Sequence, residues 1–140
     1  MFNYTIDQAY SPEPVTVMRL EGELDGSSFE SLVEEIQRLY DNGMRNLLLD
    51  LAQLTFVSSA GLIGLHRTAL IMRGEVLEEA EEGWGAFHAA SFEMDSSGEK
   101  EKHFKLLNPQ PLVRKVLDTT GFSNVMPIFA DEKAAVASFS

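Results

Sequence analysis

The chain has 140 residues, 44% of them apolar and 24% charged, and no cysteine; this is material for one globular domain with a real core, and it excludes a disulfide scaffold, a Cys-ligated zinc and a Cys nucleophile. The formal charge of −11, from 22 acids and 11 bases, is repelled by nucleic-acid phosphates and anionic lipid and favours a basic protein surface. No apolar run approaches the roughly 18 residues of a membrane span, and Asp7, Glu13 and two prolines within the first 20 residues do not make a signal peptide, so the expected location is the cytoplasm, with neither nucleic acid nor membrane as partner.

Residues 2 to 7 and 15 to 21 read as strands, the second following the breakers Pro12 and Pro14. Gly22-Glu23-Leu24-Asp25-Gly26 reads as a turn-rich connection, with Ser27 or Ser28 capping the next helix. In that helix Phe29, Leu32, Val33, Ile36, Leu39 and Tyr40 recur at spacings of three and four, one apolar stripe, and Gly43 follows its end. Leu47 to Leu51 is a short apolar run broken by Asp50, the pattern of a strand covered on both faces. A loop past Phe56 and Val57 leads to a second helix from about Ala60 past Met72.

Residues 75 to 102 hold nine acids against Lys100 and Lys102, and so carry −7 of the −11. They stand where a connection of about two to six residues is usual, and read as an acidic insertion in a single domain spanning 1–140. Glu75 to Glu82 continue the second helix in this reading, and Trp84 and Phe87 are anchors for the rest. Phe104 to Leu107 is a strand, Pro109 to Thr120 a helix with Gly121 after it, and Val125 to Phe129 a last strand. Asp131 caps a final helix. Two strands followed by alternating helix and strand predict an α/β fold: a mixed central sheet of four to five strands, parallel at its centre, with helices mainly on one face.

Enzyme signatures are sparse. His66, His88 and His103 are scattered without metal-ligand spacing, and there is neither a phosphate-binding glycine loop nor a Gly-x-Ser-x-Gly elbow. No cofactor or metal is expected, and no catalysis. Gly61 and Gly64 read as a glycine pair that lets the second helix pack closely on the sheet. What stands out is Ser58-Ser59 between a buried strand and a helix start. A serine there caps the helix, and the free N–H groups and partial positive charge of a helix start tolerate an added phosphate.

Gly22-Glu23-Leu24-Asp25, Asp50-Leu51 and Phe56-Val57-Ser58-Ser59-Ala60-Gly61-Leu62 resemble the STAS domain, most nearly the bacterial anti-sigma-factor antagonists. Leu107-Asn108-Pro109, Val113 to Leu117 and Thr120-Gly121-Phe122 resemble the family's last helical region. The resemblance implies a non-enzymatic domain that captures an anti-sigma serine kinase. Phosphorylation of a serine by that kinase releases it, and a phosphatase resets the cycle. By position the family's Asp-Ser-Ser-Gly pattern falls on Ser58, Ser59, Ala60 and Gly61. The acceptor is then Ser59, with Ser58 a competing hydroxyl. The family's acid falls on Asp25, and Asn108 on a loop of the same edge, where a turn role is the alternative. Expected partner-binding residues are thus Asp25, Ser58, Ser59, Gly61 and Asn108. Two other readings stay open: a STAS scaffold in a stressosome-like complex, not switched by phosphate, and a nucleotide-binding domain.

Overall fold

A computed structural model describes residues 2–11, 13–74 and 101–139. The elements are β1 (Asn3–Ser11), β2 (Glu13–Leu24), α1 (Phe29–Asp41), β3 (Leu47–Val57), α2 (Ser59–Met72), β4 (Phe104–Leu107), α3 (Pro111–Thr119), α4 (Phe122–Val125), β5 (Ile128–Phe129) and α5 (Glu132–Ala137). The sheet order is β1-β2-β3-β4-β5; β1 is antiparallel to β2 and every other neighbouring pair is parallel. The expected mixed sheet is therefore present.

Strand alternation sorts the core into two faces. Leu47 and Leu49 of β3 point to the face covered by α1, α2, α3 and α4, while Leu48 points to the other, beside Val15, Val17 and Leu107. Helices lie mainly on one face, as expected; α5 covers part of the second with Ala135 and Val136. Two cations hold α5 there. The Arg19 guanidinium donates to Glu132 at 2.8 Å and to Asp50 and Asp7 at 2.9 Å each. The buried Lys105 amine donates to the carbonyl and hydroxyl of Ser138 at 2.9 and 2.8 Å, 4.5 Å from the centre of the Phe139 ring.

Several boundaries differ from the sequence reading. β2 runs through Gly22 to Leu24, and β3 continues through Phe56 to Val57, where a turn and a loop were expected. The β2–β3 register shifts between Arg19 and Glu21 and again between Gly22 and Glu23, and such bulges let paired strands bend while staying paired. Val125 closes the helical turn α4 instead of opening a strand: Gly121, at φ 85°, redirects the chain, and Phe122 and Val125 are both buried. α2 ends at Met72, with Gly74 at φ 82°. The continuation expected at 75–82, and Trp84 and Phe87, lie outside the described residues. Glu101, counted with the acidic segment, is buried; it accepts from Arg73 at 2.7 Å, and its N–H donates to the Val125 carbonyl at 2.9 Å.

Candidate functional site

The site is built where β2 and β3 end together, Leu24 opposite Val57. Ser58 follows with extended backbone, and its N–H donates to the Leu24 carbonyl at 2.9 Å. Its side-chain oxygen accepts from the Gly61 N–H at 3.1 Å, capping α2. The same Leu24 carbonyl dictates residue 61: a Cβ there would lie 2.3 Å from that oxygen and 2.8 Å from Val57 Cγ2. Gly61 is buried, so its part is to let α2 start against β2, not to offer a partner a surface. Gly64 serves a different contact from the one expected. It faces α1, where a Cβ would lie 3.0 Å from Phe29 Cβ.

Ser59 is the first residue of α2 and is exposed. Among the described residues its hydroxyl has no hydrogen-bond partner. The two adjacent hydroxyls thus differ in kind: one is engaged in the cap, the other is open.

The turn after β2 lies against this helix start, a Cβ on Gly26 being 3.8 Å from Ala60 Cβ. Asp25 Oδ1 accepts from the Ser27 hydroxyl at 2.6 Å and the Ser27 N–H at 2.9 Å. The Ser27 hydroxyl, then its N–H, hold the carboxyl below its ordinary pKa, with a smaller contribution from Ser28. Neither Ser27 nor Ser28 caps α1 by its side chain. Ser28 instead donates to the Glu23 carbonyl at 2.9 Å and accepts from the Asp25 N–H at 3.0 Å, fastening the turn. Asp25, Ser58, Ser59 and Gly61 are thereby brought to one end of the molecule.

Asn108 is not brought there. β4 pairs with β3 only as far as Leu107 opposite Asp50, and the eight residues from Leu51 to Ser58 correspond to roughly 23 Å of strand. Asn108 is exposed, takes φ 56° and donates its N–H to the Phe129 carbonyl at 2.7 Å. That is the turn role named as the alternative, in a backbone region where asparagine is enriched. β3 beyond Asp50 is steadied by the Gln110 amide, which donates to the Ala52 carbonyl at 2.7 Å, and by Thr55, which donates to the Gly22 carbonyl at 3.0 Å.

Phe56 is a feature that sequence reasoning missed. It stands 41% exposed two residues before Ser58. Alternation from buried Leu54 would turn it inward, and the second register shift is what makes that expectation fail. His66, also on α2, is buried; burial first, then the positive charges of Arg73 and Arg67, push its pKa down to about 4. Among the described residues no group of three or more His, Cys, Asp or Glu is placed to hold a metal ion, and no helix is long and apolar enough to cross a membrane.

A parallel-centred α/β sheet, with a glycine-seated helix start at the end of its second and third strands, defines a class of domain. Residues 8–71 match the STAS domain family, and the architecture is that of a STAS domain, as the sequence blocks implied. BtrV of Bordetella bronchiseptica, which carries the name of an anti-sigma factor antagonist, is 27% identical over 120 residues, covering 86% of this chain and 82% of BtrV. The crystal structure of an anti-sigma factor antagonist from Mycobacterium paratuberculosis superposes with a TM-score of 0.69 at 18% identity, covering 99% of this chain and 94% of that one. The Bacillus cell fate determinant SpoIIAA in its phosphorylated form gives 0.59 at 20% identity, with 96% of each chain covered.

Proposed function

We propose that this protein is an anti-sigma factor antagonist that works as a partner switch. With Ser59 unmodified it captures a serine kinase that doubles as an anti-sigma factor; phosphorylation of Ser59 by that kinase releases it, and a phosphatase restores the first state. In this reading the domain is a binding module without catalysis of its own, acting in the cytoplasm on a protein partner. In the same reading residues 1–140 form one domain, with the acidic stretch 75–102 as an insertion between the second helix and the strand that follows it.

The observation that carries the reading is the division of labour between two neighbouring hydroxyls. Ser58 is engaged by the Gly61 N–H, while Ser59 is exposed and unengaged. The names of the relatives support the sigma-factor context. A phosphate on Ser59 adds about −1.5 to −2 units of charge at a helix start that tolerates it, beside Asp25, which is already held ionised. A partner docked over that end meets a negative charge raised from the −1 of Asp25 to about −2.5 to −3.

The test is incubation with each anti-sigma serine kinase of the source organism and ATP, followed by phosphopeptide mapping. Label on Ser59, lost in Ser59→Ala, is the expected result; label on neither serine with every such kinase refutes the switch. A second reading, a scaffold not switched by phosphate, is favoured by Ser58 and Ala60, which depart from the acceptor pattern. It predicts that Ser59→Ala neither loses phosphate uptake nor alters kinase binding.

A further inference from the structure

The two edges of the sheet are unequal. β5 is two residues long, whereas β1 is nine and pairs with β2 in unbroken register from Asn3–Glu21 to Ser11–Glu13. Among the described residues no strand pairs with the other side of β1. A long exposed edge invites pairing, and proteins protect such edges with bulges, prolines, lysines or inward charges. Residues 3–11 contain no proline, lysine or arginine, and the strand has no bulge. Its one charge, Asp7, is bound to Arg19 at 2.9 Å on the second face. On the helix-bearing face Phe2, Tyr4 and Ile6 pack against the core, and Tyr10, on the same side by alternation, stands 70% exposed.

We propose that β1 pairs antiparallel with β1 of a second copy, joining two sheets into one of ten strands about a twofold axis at Ile6. In that register Ile6 opposes Ile6, Tyr4 opposes Gln8 and Tyr10 opposes Phe2 on the helix-bearing face. Thr5 opposes Asp7 and Asn3 opposes Ala9 on the other. The exposed Tyr10 ring gains an aromatic cover and no carboxylate faces another. Centring one residue further along sets Asp7 directly against Asp7, and like charges in that position destabilise a strand pair. The axis at Ile6 keeps the helices of both copies on one face and turns their Ser59 ends in opposite directions, both uncovered. The pairing goes beyond the partner-switch reading and does not depend on it.

The chain has no cysteine, so single-cysteine variants report the register cleanly. Under a mild added oxidant, Ile6→Cys should be trapped as a disulfide dimer, since residues facing across such an axis lie within disulfide reach. Thr5→Cys and Tyr10→Cys, which keep Asp7, should crosslink at least about tenfold more slowly. Because Ile6 touches the core, a second arm uses the unmodified chain in sedimentation equilibrium from micromolar to millimolar concentration. Its mass should climb from one chain toward two, and do so at lower protein concentration when salt screens the −11 on each copy. Tyr10→Lys should move that rise at least about tenfold to higher concentration, a loss near 1.4 kcal/mol, with an unchanged circular dichroism spectrum. A single-chain mass throughout, a dimer indifferent to Tyr10→Lys, or fastest crosslinking through Thr5→Cys overturns the proposal.

Discussion

Removing the Ser58 hydroxyl strips the cap from α2, and Ser58→Ala should lower stability by about 1 kcal/mol in urea unfolding. Ser59→Ala, one residue on, should change it by no more than a few tenths, because that hydroxyl is bonded to nothing described. Ser59→Asp should leave the thermal midpoint nearly unmoved as well, since a helix start favours negative charge. A large drop in that variant would mean that the site is structural. Gly61→Ala is the opposite case. Its Cβ would lie 2.3 Å from the Leu24 carbonyl, and the displacement should cost about 2–3 kcal/mol while circular dichroism still reports a folded domain. The serine pair was visible in the sequence, but its division of labour was not. Either hydroxyl can cap a helix, and the choice is made by where the extended backbone of Ser58 ends, at ψ 178°, before α2 begins.

Among the elements, those with plain periodicity were legible: the stripe of α1, the buried run that opens β3 and the Asp131 cap of α5, whose carboxylate accepts from the Ala134 N–H at 2.9 Å. What was not legible depended on neighbours distant in the chain. Gly22 and Phe56 read as loop residues because bulges break period-two alternation, yet two paired strands absorb the irregularity together. Val125 read as strand because an i, i+3 pair with Phe122 is too short to declare a helix. The hold on α5 was equally hidden, since Arg19 and Glu132 are 113 residues apart. Arg19→Leu removes a guanidinium shared by three carboxylates, and the α5 amides, chiefly residues 134–138, should exchange hydrogen markedly faster. The global cost should stay near 1 kcal/mol, because these groups are partly exposed. Exchange at the start of α2 should not change.

For the whole molecule, acid is the informative stress. His66 is buried with its folded-state pKa pushed down to about 4, against 6.5 for the free side chain. Between those values the unfolded chain binds a proton that the folded one refuses. The contribution is therefore complete above pH 6.5 and is lost as pH falls toward 4. It amounts to about 3 kcal/mol in all. Urea titrations at pH 7 and pH 4 on the native chain and His66→Gln should differ by that amount in the pH slope; parallel slopes would mean that another group carries the acid response.

The Leu24 carbonyl fills the space that a side chain on Gly61 would need, while Ser58 latches the first turn, so the tip of α2 has little slack to tilt or unwind. A charge deposited on that tip cannot be converted into a stroke and carried across the sheet. It acts through its own field, which salt confines to about 8 Å at physiological ionic strength. Whatever reads it has to be standing there.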